Sequence, residues 1–182
     1  MKKKLVILTV LIALLVVTLI LLFYEKPLKE GLDNYPDFFL KGKTFNGKIV
    51  VDDKGPEEDF ITAQNFLEAL GKKYKLNPDT LIQYGQLDGL YNSNAIFIGT
   101  CNTIPKNKFV NIFMDCLSME KNVGMIRLVE NNNVTIVQVV GYDYKDTREA
   151  IDVLINSKDY NLAGREVQVR GDLPNLEIRI TG

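Results

Sequence analysis

The first 24 residues place the strongest constraint on how this chain can fold. Leu5–Phe23 is an unbroken apolar run of 19 residues in which Thr9 and Thr18 are the only polar side chains. At about 1.5 Å of rise per residue, a helix of this length nearly matches the roughly 30 Å hydrocarbon core of a bilayer. The run therefore predicts one N-terminal transmembrane helix, and residues 1–24 are set apart from the folded part of the chain.

A cleaved signal peptide is the alternative interpretation of this run. The apolar region of a signal peptide is usually about 7–15 residues long and ends in a small-x-small cleavage site. This run is longer and continues into Phe23-Tyr24-Glu25-Lys26-Pro27, which contains no such site. The sequence therefore favours an uncleaved signal anchor, with the lipid bilayer as a partner through Leu5–Phe23.

The charges on either side of the run predict its orientation. Lys2, Lys3 and Lys4 precede it, whereas the charges that follow it closely are balanced in sign. Because positive charge is retained on the cytoplasmic side, we expect a single-pass membrane protein with a cytoplasmic N-terminus and an extracellular C-terminal domain. In that domain acidic residues outnumber basic ones, so no nucleic-acid partner is expected.

The composition also limits the chemistry that the chain can perform. It contains no histidine, which excludes Ser-His-Asp and Cys-His catalytic sites and most zinc sites. Cys101 and Cys116 are the only two cysteines. In a cytosolic protein they would be two buried small hydrophobic residues, but in an exported domain an even number favours a disulfide, worth about 3 kcal/mol for a loop of about 15 residues. No enzyme activity and no cofactor are expected.

Apolar periodicity divides the rest of the chain into a linker or stalk over residues 25–44 and an α/β domain over residues 45–182. Within the linker, Phe38, Phe39 and Leu40 are expected to pack under the domain, because full solvation of three adjacent apolar side chains is unfavourable. The pattern predicts a mixed sheet with helices packed on it. The helix that begins at Gly55-Pro56 is expected to stop at Gly71, residues 80–84 are ambiguous, and residues 107–117 are a candidate short helix. The remaining predicted elements are strands at Gly47–Val51, Asn94–Thr100, Arg165–Arg170 and Leu176–Thr181, a hairpin of Met125–Val129 and Val134–Val140, and a helix from Asp146 with Ala150, Ile151, Val153 and Leu154 on its inner face.

The adjacent acids Asp52 and Asp53 follow the first of these strands. They resemble the magnesium-binding acids of response-regulator receivers, but no later strand ends in the acceptor aspartate of that family. A second alternative is a calcium ion shared between this pair and Asp143 and Asp146 across the strand ends. Turn formation and helix capping explain the same residues more simply, because Asp is favoured beside helix N-termini.

Asn133-Val134-Thr135 is an N-glycosylation sequon in the predicted hairpin turn. On an archaeal or eukaryotic surface Asn133 would be a candidate acceptor, whereas in most bacteria it would stay unmodified. The sequence leaves this choice open.

Three segments together resemble the domain of archaeal S-layer glycoproteins and their small membrane-anchored relatives. They are GKIVVDDKGPEEDFITAQNFLEALG, IFIGTCNT with Cys116 downstream, and GMIRLVENNNVTIVQVVGYDYKDTREAIDVLINSKDYNLAGREVQV. The third is the most specific, because five residues hold the family's spacing: Gly141, Asp146, Thr147, Arg148 and Ala150. The resemblance covers residues 45–170.

The resemblance implies a cell-surface setting and a non-enzymatic role. We therefore expect a membrane-anchored structural or interaction protein with S-layer or other envelope proteins as partners. The chain carries one such domain and its own anchor, which distinguishes it from a typical lattice-forming subunit. The alternative function is a membrane-anchored small-ligand or calcium-binding module.

Overall fold

The computed structural model describes residues 31–53, 55–83, 93–101, 119–131 and 134–182. Residues Gly31–Gly182 form one compact unit. The helices of the described residues are α1 (Glu57–Lys73) and α2 (Tyr144–Ile155). The strands are β1 (Leu40–Lys41), β2 (Thr44–Phe45), β3 (Lys48–Val51), β4 (Lys75–Leu76), β5 (Leu81–Gln83), β6 (Ala95–Thr100), β7 (Val123–Asn131), β8 (Val134–Gly141), β9 (Glu166–Asp172) and β10 (Asn175–Ile180).

A seven-stranded mixed sheet with the order β10-β9-β7-β8-β6-β3-β5 is the centre of the fold. β5, β3, β6 and β8 are parallel to one another. β7, β9 and β10 extend the sheet in antiparallel pairs. The short strands β1, β2 and β4 form a separate three-stranded sheet. The predicted α/β class, with a mixed sheet and helices packed on it, is confirmed.

Both helices pack on one face of the large sheet. Alternate strand residues such as Ile49 and Val51 in β3 belong to the same buried cluster as the inner residues of the two helices. In α2 the buried residues include all four that the spacing predicted: Ala150, Ile151, Val153 and Leu154. Apolar side chains at i, i+3 and i+4 positions of the helices thus pack on alternate side chains of the strands, and together they form the main core.

Residues on the opposite face of the sheet are also buried. Val50 and Phe97, whose neighbours in sequence face the helices, form a second apolar cluster. β6 is buried at all six positions, which is typical of a central parallel strand covered on both faces. Gln138 of β8 is the polar exception in the middle of the sheet, because its side chain is buried.

The compact unit begins earlier than the expected residue 45. Residues 31–44, expected as part of a linker, form two single-turn 3-10 helices followed by β1 and β2. Leu32 and Phe39 are buried, and the Phe39 ring stacks on Phe45 with 5.3 Å between centroids. The backbone N–H of Leu32 donates to the carbonyl oxygen of Gly164 at 2.7 Å. Such short elements have no sustained apolar period, so the pattern did not reveal them.

Several helices and strands begin or end at residues other than those that the sequence predicted. Helix α1 continues through Gly71 to Lys73, and Tyr74 N–H closes its last turn on Leu70. The ambiguous residues 80–84 include strand β5. The hairpin arms are longer than expected, because β7 and β8 pair up to Asn131 and Val134. α2 begins at Tyr144, two residues before the expected start.

Within the described residues, no helix is both long and apolar enough to cross a bilayer. The run Leu5–Phe23 lies outside those residues, so the transmembrane helix stays a prediction. The candidate helix over residues 107–117 also lies outside them.

Candidate functional site

The carboxyl ends of three neighbouring parallel strands meet at one edge of the large sheet, where open α/β sheets commonly bind ligands. Thr100 and Gly141 are the last residues of β6 and β8. The acidic pair Asp52-Asp53 follows β3 at the same edge, and Asp143 follows β8. This carboxyl edge therefore collects most of the residues that the sequence singled out.

Asp52 and Asp53 lead the chain from β3 into α1. Asp52 is half-buried and Asp53 is exposed. The carbonyl oxygen of Asp52 accepts a hydrogen bond from Gly55 N–H at 3.2 Å, within the turn before the helix. This geometry supports the interpretation of the pair as a strand-to-helix connection.

Asp59 attaches the first turn of α1 to the end of β6. Its side chain is 1% exposed, and its carboxylate accepts a hydrogen bond from the backbone N–H of Thr100 at 2.9 Å. Asp59 is one of three acids in the first turn of α1, where the helix dipole favours negative charge. Its burial and its contact with β6 give it a second role, which is to hold α1 against the sheet.

Asp143 and Asp146 form a capping box at the start of α2. The Asp143 carboxylate accepts from Lys145 N–H at 2.9 Å and from Asp146 N–H at 3.1 Å. In return, the Asp146 carboxylate accepts from Asp143 N–H at 3.3 Å. The two carboxylates thus satisfy backbone donors that a helix N-terminus leaves without partners.

Thr147 joins α2 to two strands. Its side chain is fully buried, and its hydroxyl oxygen accepts a hydrogen bond from Gly141 N–H at 3.0 Å. The hydroxyl group is directed at the carbonyl oxygens of Gly99 in β6, at 3.2 Å, and Asp143, at 3.0 Å. One small side chain therefore fixes the position of α2 relative to both β6 and β8.

Two facing glycines let α2 approach the sheet closely. Gly141 of β8 lies opposite Gly124 of β7. A Cβ at Gly141 would lie 2.2 Å from Thr147 N, and one at Gly124 would lie 2.5 Å from the carbonyl oxygen of Asp146 and 3.0 Å from Ala150 Cβ. Side chains larger than hydrogen do not fit at either position without displacing the helix.

The five residues that hold the spacing of the S-layer family do not all lie in the same environment. Gly141, Asp146, Thr147 and Ala150 are buried together in the β8–α2 junction, whereas Arg148 is exposed on α2. Gly124 completes the junction and was not singled out from the sequence. The signal that could have found it is its place at the base of the predicted hairpin, opposite Gly141.

Burial at this junction raises the pKa of two acids. Removal from water raises the pKa of Asp146, and the nearby Asp143 carboxylate raises it further. Burial likewise raises the pKa of Glu149, although Lys145 partly offsets this, with its Nζ 3.9 Å from the carboxylate. Lys145 also pairs with Asp172 of β9, and that hydrogen bond raises the pKa of the lysine.

The alternative calcium site would need Asp52 or Asp53 to share an ion with Asp143 and Asp146. Across the described ranges, no three His, Cys, Asp or Glu side chains are grouped so that they could hold a metal ion. The structure uses the carboxylates of Asp143 and Asp146 in the capping box. Capping therefore accounts for this pair, as the sequence favoured.

The predicted disulfide and the sequon fall partly or wholly outside the described residues. Cys101 follows β6, is buried beside Met125 and Val140, and is not a free thiol. Its expected partner Cys116 lies outside the described residues, so the pairing stays a prediction. Asn133 lies outside them as well, between the two observed arms of the hairpin.

A pocket of about 430 Å³ lies at the C-terminal ends of both helices. Its apolar lining includes Leu70 and Leu154, and its polar lining includes Tyr35, Tyr74 and Lys73. Lys73 Nζ donates to the carbonyl oxygen of Ile155 at 2.5 Å, which links the two helix ends. The residues that line the pocket are Tyr35, Pro36, Leu70, Lys73, Tyr74, Leu154, Ile155, Ser157 and Lys158.

Tyr35 is a buried polar residue in the lining of this pocket. The side chain is buried, and its hydroxyl group has no hydrogen-bond partner in the part of the chain that the structure describes. Burial, together with the neighbouring Tyr74, raises the pKa of Tyr35, so its hydroxyl group keeps its proton. Sequence reasoning missed Tyr35 because it falls in the segment that was interpreted as a linker.

Comparisons with known proteins leave the chain without an assigned family. No family model matches it, and no curated protein matches it. Among solved structures, one titled "Structure of CpGH84D" is similar over 70% of this chain, with 19% identity and a TM-score of 0.41. The chain spans 19% of the length of that protein. This likeness is too distant to carry an argument about function.

Proposed function

We propose that the chain is a cell-surface structural or interaction protein, which displays an S-layer-like α/β domain on a single N-terminal transmembrane anchor. The domain is extracellular, is not an enzyme, and has S-layer or other envelope proteins as its partners. The observation that carries this proposal is the 19-residue apolar run Leu5–Phe23, with lysines before it and a separate compact unit, Gly31–Gly182, after it.

The contacts of the β8–α2 junction support a structural role. The residues of the most specific resemblance segment serve the fold, because Asp146 caps α2 and Thr147 joins α2 to β6 and β8. Gly141 and Ala150 provide the close packing of helix on sheet. These residue types at this spacing are therefore explained without a substrate.

Protease accessibility on intact cells tests this proposal. The full chain carries a C-terminal epitope, and intact cells are compared with detergent-permeabilised cells. We expect the protease to remove the epitope from intact cells while an N-terminal epitope is protected, because the lysines hold the N-terminus inside. Loss of the C-terminal epitope only after permeabilisation would overturn the surface location.

Small-ligand binding at the Tyr35 pocket is the second candidate function. The pocket volume lies within the range of small-molecule sites, and Tyr35, whose hydroxyl group has no hydrogen-bond partner among the described residues, is one of its lining residues. The lining combines hydrogen-bond donors of Tyr35, Lys73 and Lys158 with apolar side chains, so the fitting ligand class is a small, mostly apolar molecule with one hydrogen-bond acceptor. This function is compatible with either location of the domain.

Thermal melting with cyclohexanone as a probe tests the pocket. We expect the probe to raise the Tm of the wild-type chain and to have a smaller effect on Tyr35→Phe, because that variant loses the donor and keeps the ring. Tyr142→Phe, which changes an exposed tyrosine, is the matched control and should respond like the wild type. An equal response of all three chains, or none in any, would dispose of this candidate.

A further inference from the structure

Strand β10 lies at one edge of the large sheet in the part of the chain that the structure describes. Among the described strands it pairs only with β9, and it lies at the end of the strand order. An edge strand presents unpaired backbone groups on which another strand can add. Ile180 on this strand is 48% exposed, and Leu173 in the preceding turn is also exposed.

The register of β10 shows which of its residues present backbone groups to the open edge. Thr181 N–H donates to the carbonyl oxygen of Glu166 at 3.0 Å, next to the pair Ile180–Val167. In an antiparallel ladder, hydrogen-bonded and non-hydrogen-bonded positions alternate along the strand. The residues that bond to β9 are therefore Asn175, Glu177, Arg179 and Thr181. The backbone groups of Leu176, Ile178 and Ile180 point away from the sheet.

The side chains of β10 alternate in character. Leu176 and Ile178 lean towards the face that carries the helices, where they are half-buried against the core. Glu177 and Arg179 are exposed on the opposite face, and neither forms an ion pair with any residue that the structure describes. Arg170, the β9 neighbour of Glu177, pairs instead with Glu120 at 2.7 Å.

We propose that β10 pairs antiparallel with β10 of a second copy of this chain, with Ile178 opposite Ile178 on the two-fold axis. In this register Glu177 of each copy lies opposite Arg179 of the other, and Leu176 lies opposite Ile180. The outward-pointing residues become the hydrogen-bonded pairs of the new ladder. The two charged pairs occupy non-hydrogen-bonded positions, where cross-strand side chains are closest.

The two neighbouring two-fold registers are disfavoured by charge. An axis through Glu177 would place its carboxylate opposite the Glu177 carboxylate of the second chain. An axis through Arg179 would place the two Arg179 guanidinium groups opposite each other. Like charges directly opposite destabilise a strand pair, whereas opposite charges stabilise it. The sequence NLEIRI is therefore self-complementary in one register, and this feature selects a second copy as the partner.

The pairing does not depend on the membrane anchor, so it goes beyond the proposed function and can fail or succeed separately from it. The purified full chain in detergent tests it without reference to cell location. An anchor that confines copies to one membrane would raise their effective concentration and favour the pairing.

Charge reversal provides the first test, with sedimentation equilibrium as the measurement. We expect the wild-type chain to dimerise and Glu177→Arg to raise the dimer dissociation constant by about tenfold or more, since both symmetric pairs become repulsive. The double variant Glu177→Arg/Arg179→Glu restores opposite charges across the axis and should return to within about threefold of the wild type. A wild-type chain that stays monomeric at about 0.1 mM, or a double variant as weak as the single one, overturns the pairing.

Cysteine cross-linking tests the register. A mixture of Glu177→Cys chains and Arg179→Cys chains should form a reducible dimer, because directly opposite residues at such positions lie within disulfide distance. A mixture of Asn175→Cys chains and Arg179→Cys chains is the control, since these positions are offset by two residues and should not cross-link. Equal cross-linking in both mixtures, or only in the control, contradicts the proposed register.

Discussion

Single buried polar side chains connect the two helices to the ends of the parallel strands. Asp59 accepts a hydrogen bond from Thr100 N–H, and Thr147 contacts both β6 and β8 through its hydroxyl group. Hydrogen bonds to charged groups contribute about 1.5–3 kcal/mol, and a lost partner leaves a buried group unsatisfied. Both residues therefore help to fix the positions of the helices on the sheet.

Glu149 in α2 predicts a pH dependence of the free energy of unfolding. Burial raises the pKa of Glu149 above its ordinary value in the folded chain. Between that ordinary value and the raised pKa, the folded state holds a proton that the unfolded state has released. The free energy of unfolding should therefore fall as pH rises through this window and level off above it.

Two variants make this prediction specific. Glu149→Gln removes the titrating group and should reduce the slope in denaturant unfolding measured across the acidic range. Lys145→Gln removes the cation that lowers the Glu149 pKa, so it should extend the falling region to higher pH. An unchanged profile in both variants would show that Glu149 does not titrate in this window.

At the scale of elements, the β8–α2 junction depends on the absence of side chains at two facing positions. Gly141 and Gly124 lie where a Cβ would overlap the backbone of α2. In both cases the nearest atoms belong to backbone, so a rotamer change cannot relieve the overlap. The close approach in turn allows Thr147 to reach Gly99 in β6.

Gly141→Ala should destabilise the chain by about 2–4 kcal/mol, because the methyl group must displace the first turn of α2. Urea unfolding of the full chain measures this change. Gly182→Ala is the control, since a Cβ there meets only ordinary contact with Glu166 Cβ at 3.5 Å. Equal stability of the two variants would mean that α2 does not lie against Gly141.

Element-scale features differ in how well the sequence predicts them. The β7–β8 hairpin and the inner face of α2 were predictable, because two β-branched apolar runs beside an Asn-rich turn and the 3.6-residue spacing are signals that act over short distances. The end of α1 was not, because tertiary packing carries the helix through Gly71 to Lys73 despite the low helix propensity of glycine. The burial of Leu32 and Tyr35 was missed because it depends on contacts with distant residues, such as the bond between Leu32 and Gly164, whereas the burial of Phe39 was expected.

On the scale of the whole molecule, the order of strands could not be read from local patterns. β9 and β10 follow α2 in sequence, yet they join the sheet beside β7, beyond the hairpin. This placement depends on long-range pairing between Val123–Arg127 and Glu166–Arg170. The carboxyl edge and the Tyr35 pocket both depend on such long-range placement. Local patterns could therefore indicate single residues of the carboxyl edge, but not which residues the fold brings together.

The proposed orientation of the chain predicts the effect of its N-terminal lysines. Replacement of Lys2, Lys3 and Lys4 by Gln should lower the fraction of chains with an external C-terminal domain, because it removes the cytoplasmic positive charge. The protease assay on intact cells measures this fraction. Replacement of Lys41, Lys43 and Lys72 by Gln changes the same number of charges within the domain and should leave the fraction unaltered.

The hydrogen bond between Leu32 and Gly164 predicts how the compact unit would respond to a pulling force. The chain enters the compact unit at Gly31, and Arg165 N–H, one residue beyond Gly164, donates to the carbonyl oxygen of Gly182 beside β10. A force applied to the chain at Gly31 would first load the hydrogen bond between Leu32 and Gly164, because Leu32 is the next residue along the chain. We expect residues 31–34 to detach at a lower force than the strands of the large sheet, because those strands are held by extended ladders of backbone hydrogen bonds.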